Sequence, residues 1–407
     1  MNGLKLKEMK GTLNLKYIRA IALCLLLCPF SLFGQSFSET LASIEKNNSE
    51  LQALREEMNA EIMQAKTSLT PSDPSIEWGY LWETLSPEGG HRIDLAVSQE
   101  FDFPSAYYWK NRLSKANCSI ARVRYEIEKK NLLLEARKLC IHLVWLNAMQ
   151  VELQRQRDYA LQIEKNSKES FDAGRMSLIE LNQAGLNLLN CEKALRENGI
   201  ERNQALGELK RMNGGADVRI EESSFTPIVL FEDFDSWFER ASESSSELEL
   251  SSLESSSAEM EVKLGVADAL PKFSIGYASE RVNGSTLQGI KMGLSIPLWE
   301  NKGKVKAARA RLEASLKKEQ SSREQFLLSM QNKYNQTKEL SELSVQFREK
   351  MQTLSSEDLM FEALQAGQIG LNDYLVGTNL WKQTLSEALS CERDAALLMC
   401  ELEYFAK

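Results

Sequence analysis

Apolar residues recur at steps of three and four over most of the chain, which is the spacing of amphipathic helices. The two longest runs span about residues 105–171 and 302–365, and neither contains a proline. At 1.5 Å per residue, each run would form a helix about 100 Å long. The steps average to a heptad, so we expect these helices to pair as left-handed coiled coils. The apolar seam of the first run consists of Leu132, Ala136, Leu139, Leu143, Leu146 and Leu153.

Before each long helix the pattern changes to strict alternation, which predicts strands. In the first such region Trp78, Tyr80 and Trp82 alternate with smaller or polar residues, and a turn is predicted at 86–90. We predict strands at about 74–82, 92–101, 272–281 and 288–297. Four strands are too few to bury a core alone. They therefore belong either to a sheet packed on helices or to a barrel with an outward aromatic face, and alternation fits both.

The second half of the chain repeats the first. With a shift of 197 residues, Phe37, Leu41 and Leu51 fall on Phe234, Phe238 and Leu248 without a gap. A repeated pattern has to be recognised before length is divided into domains. We predict a first repeat at 36–215, an equatorial join at 216–233 and a second repeat at 234–407.

Each long helix ends at a glycine that we interpret as the tip of a helical hairpin. Gly174 and Gly367 are each followed four residues later by a leucine and six residues later by a carboxylate. The predicted return helices span about 177–213 and 371–405.

The carboxylates in question are Glu180 and Asp373. One explanation is an acid near a helix N-terminus, where the helix dipole stabilises it by roughly 0.3–1 kcal/mol. The other is a ring of negative charge in a symmetric assembly, which would favour cations at a constriction. The sequence leaves both explanations open.

The first 35 residues predict a secretory signal peptide, because a basic start precedes an apolar run at 21–30. This run is shorter than the ~20 residues that a membrane-spanning helix needs. The chain carries a formal net charge of −9. An acidic exported chain is not expected to bind nucleic acid.

The sequence offers no set of catalytic or metal-ligating residues. His91 and His142 lack neighbouring ligands, and no nucleophile, phosphate-binding or zinc motif is present. Five cysteines follow the signal segment, and an odd number scattered along helices predicts buried thiols and not a disulfide framework. We therefore predict no enzyme, no cofactor and no metal site.

The order of helix, hairpin, long helix, glycine tip and return helix, repeated once, resembles the TolC family of outer-membrane efflux proteins. The resemblance covers about residues 37–405, and Leu294–Trp299 is similar to the family's strand-exit motif. It implies a mainly α protein with β strands. In the implied homotrimer, four strands from each chain close a twelve-stranded outer-membrane β-barrel, and the helices form an α-helical coiled-coil barrel in the periplasm. It also implies contact with outer-membrane lipid, a periplasmic adaptor protein and an inner-membrane pump, for example of the resistance-nodulation-division type.

The resemblance also assigns roles to the tips. Asp373 matches a carboxylate that lines the closed aperture, and Glu180 matches an acid in the tip contacts. This chain departs from the family at Val376, where a second carboxylate is expected, and at Ile369, where an arginine is expected. The implied adaptor-contacting residues are Gly174, Arg175, Met176, Ser177, Gly367, Gln368, Ile369 and Gly370.

The predicted function is a passive outer-membrane duct of a tripartite efflux system. The alternative is a soluble periplasmic coiled-coil scaffold or adaptor, in which the hairpins form a small sheet domain. The sequence does not discriminate among drugs, metal ions and polypeptides as cargo.

Overall fold

A computed structural model describes residues 32–82, 90–230, 233–282, 284–297, 299, 301, 303–354 and 357–405. Most of the predicted signal peptide lies outside these residues. So do positions 86–89 of the first predicted turn, Asn283 of the second turn and Lys302, where the second long helix was predicted to begin.

The described residues form nine helices and four strands. The first repeat contains α1 (Leu32–Asn47), α2 (Ser49–Thr67), β1 (Ser75–Trp82), β2 (His91–Phe101), α3 (Pro104–Asp172) and α4 (Leu178–Met212). The second contains α5 (Phe234–Ser244), α6 (Ser246–Ala267), β3 (Lys272–Val282), β4 (Ser285–Ser295), α7 (Lys304–Thr353), α8 (Glu357–Gln365) and α9 (Leu371–Phe405). The predicted class, mainly α with β strands, is confirmed.

The observed bounds of the strands, long helices and return helices lie within one residue of the predicted ones except in strand β4 and the second long helix. Strand β4 begins at Ser285, three residues early, because Ser285 pairs directly with Val282 across the turn. It ends at Ser295, before Pro297, which has no amide hydrogen for a sheet hydrogen bond. The second long helix is described as α7 and α8, and residues 355 and 356 between them lie outside the described part of the chain.

The four strands form one antiparallel sheet in the order β1-β2-β3-β4. Its register aligns Ile76, Val97, Tyr277 and Ile290 in one row across all strands. Because side chains alternate along a strand, this row and those two residues away lie on the same face. Four members of this apolar face, Ile76, Trp78, Ile290 and Met292, are 70–77% exposed.

The opposite face of the sheet carries small and polar residues. They include Gly79, Ala96, Ser98, Ser274, Gly276, Ala278, Gly289 and Gly293. At Gly276 a Cβ atom would lie 2.5 Å from the carbonyl oxygen of Val97, so only glycine fits there. The sheet is therefore mainly apolar on one side, whereas small and polar residues predominate on the other, with Leu81 and Leu287 as exposed apolar exceptions.

The chain forms two compact units, each drawn from both repeats. One comprises the described residues up to Ser49 together with Leu133–Leu230 and Gln336–Cys400. The other comprises Glu50–Leu132 and the described residues within 231–335 and 401–407.

In the unit that contains the sheet, helices α5, α7 and α9 bury an aromatic cluster. Trp237 of α5 is 1% exposed and packs with Phe326 and Met330 of α7 and with Leu402 of α9. The Phe234 ring lies 5.3 Å from the Tyr334 ring, which extends the cluster.

In the other unit, the coiled-coil seam and the predicted join are both packed. Three predicted seam positions of α3, Ala136, Leu143 and Leu146, are fully buried. Nδ2 of Asn147 donates to the backbone carbonyls of Ile220 and Glu222, each at 2.9 Å. The segment after α4 is thus fixed on α3 by hydrogen bonds from a buried side chain.

The cysteines that follow the signal segment are all free thiols, and all but Cys391 are buried. Among the described helices, none has an apolar stretch sufficient to cross a membrane.

Candidate functional site: the two helical tips

The first tip is a glycine-terminated helix end. Gly174 has a φ of +68°, a left-handed conformation that glycine adopts without strain. Its N–H donates to the carbonyl of Phe171 at 2.8 Å, and the N–H of Arg175 donates to that of Ser170 at 2.9 Å. This pair of bonds is a Schellman motif, which satisfies the last carbonyls of α3.

The second tip has the same backbone structure. Gly367 has a φ of +69°, its N–H donates to the carbonyl of Leu364 at 3.1 Å, and that of Gln368 donates to Ala363 at 2.9 Å. A Cβ atom at Gly174 or Gly367 would meet nothing within 4 Å. Glycine is therefore required by the backbone conformation and not by crowding.

Helix α4 begins with a reciprocal cap. The N–H of Glu180 donates to Oγ of Ser177 at 3.3 Å, while the N–H and Oγ of Ser177 donate to Oε2 of Glu180 at 2.9 and 2.7 Å. This capping box satisfies free donors at the helix start. The hydrogen bonds from Ser177, first the backbone one and then the hydroxyl, lower the pKa of Glu180. The Glu180 carboxylate thus has a structural use within its own helix.

Helix α9 begins at the equivalent place without such a cap. Gly370 follows Gly367 by three residues, as Ser177 follows Gly174, and its carbonyl accepts from the N–H of Tyr374 at 3.0 Å. Asp373 is exposed and, within the described part of the chain, its carboxylate has no hydrogen bond or ion pair. The two acids therefore occupy matching positions but differ in what holds them.

The remaining predicted contact residues are mostly on the surface. Arg175, Ser177, Gln368 and Gly370 are exposed, and Met176 is half-buried. Beside them the helix starts expose apolar side chains: Leu178, Ile179 and Val376 are 57–71% exposed. Their roles as contact residues stay predictions.

An apolar cluster joins the two hairpins just behind the tips. It contains Ile163 of α3, Ala184 of α4, Phe361 of α8, and Leu371 and Tyr374 of α9, all less than 10% exposed. Ile369, from the second tip, packs against it. The two tips are thus held together within one chain.

Neither histidine lies in a ligand set. Nε2 of His142 is 3.1 Å from Oε1 of Glu201, and its ring stacks on Trp145 with centroids 5.4 Å apart. In the described ranges, no three His, Cys, Asp or Glu side chains are grouped closely enough to hold a metal ion.

No protein-family model matches this chain, and no curated protein matches it. Solved structures do match. The Campylobacter jejuni CmeC outer membrane channel is 17% identical with a TM-score of 0.74, over 91% of this chain and 85% of that one. A membrane protein from Pseudomonas aeruginosa is 12% identical with a TM-score of 0.74, over 91% and 90% of the two chains.

The Neisseria gonorrhoeae MtrE outer membrane channel, solved in its open state, is 13% identical with a TM-score of 0.66, over 91% of this chain and 88% of that one. At these identities the likeness concerns the fold. The chain therefore has the fold of the TolC-like outer-membrane channels, as its repeated pattern of helices and hairpins predicts.

Proposed function

We propose that this chain forms the outer-membrane duct of a tripartite efflux system and passively conducts substrates from a periplasmic adaptor and an inner-membrane pump to the outside. The observation that carries the proposal is the exposed apolar face of its sheet, in a chain with the fold of solved outer-membrane channels over at least 91% of its length.

The apolar face is suited to contact with outer-membrane lipid. One row of this face, Ile76, Val97, Tyr277 and Ile290, is apolar in all four strands. Trp78 and Tyr80 supply aromatic rings of the kind found on the lipid side of outer-membrane barrels. In this arrangement the opposite face, with its small and polar residues, lines the pore.

A complete barrel requires more than one chain. The outer edges of β1 and β4 pair with no other strand in the described sheet. Unpaired backbone groups are not tolerated in lipid, so the sheet must close on itself through further copies. Three chains would supply twelve strands, and we propose a homotrimer.

The tips are the proposed docking and gating end. We propose that the adaptor contacts the turns at Gly174–Ser177 and Gly367–Gly370, that Asp373 forms a ring of charge at the aperture, and that Glu180 takes part in tip contacts. The exposed Leu178 and Val376 beside the turns support a protein-binding surface. Asp373, whose carboxylate has no partner within the described part of the chain, is a better candidate than Glu180 for interaction with a passing cation.

The alternative of a soluble scaffold or adaptor has less support. It requires helices to cover the apolar face of the sheet, whereas Ile290 and Met292 are 76% and 77% exposed.

A matched pair of variants tests the proposal. Ile290→Lys places a charge on the apolar face, and Leu287→Lys places one on the opposite face of the same strand at similar exposure. A lysine facing the bilayer midplane costs about 2–4 kcal/mol. We expect Ile290→Lys alone to reduce the amount of trimer recovered from outer membranes. Equal recovery of both variants, or recovery of the wild type as a soluble monomer, would contradict the proposal.

A further inference from the structure

An acidic side chain is buried where the two hairpins meet. Glu357 is the first residue of α8, and its side chain is only 1% exposed. Its Oε2 atom has no hydrogen-bond partner in the described part of the chain. Buried carboxylates are normally paired, so this one calls for a physical explanation.

The surroundings of Glu357 do not neutralise it fully. The charged and titratable groups facing it are Glu152, Arg155 and Tyr159 of α3, Asp358 of α8, and Tyr374 and Lys382 of α9.

One guanidinium is shared among three of these carboxylates. Nη2 of Arg155 is 2.5 Å from Oε2 of Glu152 but 3.8 Å from Oε2 of Glu357, and Nη1 is 3.4 Å from Oδ1 of Asp358. The short contact is therefore made with Glu152. Lys382 is engaged elsewhere as well, because its Nζ lies 3.5 Å from Sγ of Cys191.

The same region carries the direct contact between α3 and α8. The hydroxyl of Tyr159 donates to Oδ1 of Asp358 at 2.6 Å, and the Tyr159 ring stacks on Phe361 with centroids 4.2 Å apart. Glu357 is therefore next in the chain to a residue that joins the second repeat to the first.

Burial raises the pKa of Glu357. Lys382 and Arg155 oppose this shift, whereas Glu152 and Asp358 add to it. A carboxyl group whose folded-state pKa is raised contributes stability that is fully present below its unfolded-state pKa and is lost as pH rises through the folded-state value. The contact should therefore be firmest under acidic conditions and weaken above the usual titration range of a glutamate, about 4.3.

We propose that Glu357 makes the contact between the two hairpins pH-sensitive. When its carboxyl group is protonated, α8 packs stably on α3, and when the carboxyl group ionises, this contact loosens. This pH-sensitive contact would regulate the stability of the helices behind the tips, which goes beyond the duct function. It depends only on packing within the chain, so it can be tested without a transport assay.

Amide hydrogen exchange of the purified full-length protein tests the proposal. After correction for intrinsic exchange, we expect the protection of α8 in the wild type to fall between about pH 5 and about pH 8, by at most about tenfold per pH unit for one proton. Glu357→Gln preserves the size of the side chain and removes its titration. It should keep α8 protected at both values.

Glu362→Gln is the matched control, because Glu362 is exposed on the same helix. It should behave as the wild type. Equal pH dependence in the wild type and Glu357→Gln would overturn the proposal, as would a Glu362→Gln variant that behaves like Glu357→Gln.

A second variant tests the same charge without replacing the acid. Lys382→Met removes a cation that favours ionised Glu357 and should move the loosening of α8 to higher pH. If the pH at which α8 loses half of its protection is unchanged or lower in this variant, the proposed role of Glu357 is contradicted.

Discussion

The two tips of the chain share one turn but differ in the cap that follows it. Both long helices end in a Schellman motif at a left-handed glycine, and both return helices start four residues after that glycine. At the first tip Ser177 and Glu180 cap each other, whereas Gly370 offers Asp373 no side chain. The two tips thus share the backbone turn, whereas the Glu180 carboxylate caps its helix and that of Asp373 has no partner among the described residues.

The largest expected effect on stability comes from changing the glycines of the turn that both tips share. Replacing Gly174 or Gly367 by alanine forces a Cβ into the left-handed region, at a cost of roughly 1–2 kcal/mol. The two costs should be equal because both positions are open. Local opening free energies from hydrogen exchange measure them. Gly185→Ala, within α4 at another open position, is the control and should stabilise its helix by up to about 1 kcal/mol. A clear difference between the two tips would contradict a shared turn.

Breaking the cap affects the first tip alone. Ser177→Ala should destabilise the start of α4 by about 1 kcal/mol, since the N-cap oxygen is lost. Ser177→Gly should cost only a few tenths of a kcal/mol and make the first tip resemble the second. Exchange of the Glu180 amide reports both. If alanine and glycine have the same effect at this position, the cap does not stabilise the helix.

At low pH, the first tip should lose the stability that its cap provides and become similar to the second tip. The pKa of Glu180 is lowered by its bonds from Ser177, so their stabilisation is present above the unfolded-state pKa and is lost as pH falls through the lowered folded-state value. A pH titration of amide protection in the first turn of α4 measures this loss. Glu180→Gln should show no such titration, and persistence of the transition in that variant would assign it to another group.

The smallest effect on stability, and the most specific effect on function, is expected at Asp373. Asp373→Asn should weaken block of the pore by multivalent cations or raise its basal conductance, because the ring of charge is removed. Glu180→Gln is the comparison and should alter both properties less. If cation block and basal conductance are unchanged in Asp373→Asn, Asp373 does not form a functional ring of charge.

Local patterns account for the features that the sequence predicted well. Gly174 and Gly367 stand out because few other residues end a helix in the left-handed region. Trp78 and Tyr80 indicate their face of the sheet because strand side chains alternate. The capping box was not predicted, although Ser177 precedes Glu180 by three residues, a spacing that marks a helix start.

Features that depend on distant packing were not predictable in this way. Glu357 falls inside the predicted helix 302–365, next to Asp358, where the sequence indicates a solvated acid. Its burial becomes visible only in the structure, where groups from α3 and α9 lie near it. The exposure of Ile290 likewise cannot be inferred from alternation, which is the same in a covered and an uncovered sheet. Both depend on which elements meet, and no local spacing specifies that.

Conductance in a planar lipid bilayer shows whether this chain forms a duct. The protein would be purified from outer membranes as an oligomer and compared with the Ile290→Lys variant at equal protein concentration. We expect discrete conductance steps from the wild-type oligomer and few or none from the variant. A wild-type protein that inserts into the bilayer but never conducts, or that is purified only as a monomer, would contradict the proposed duct.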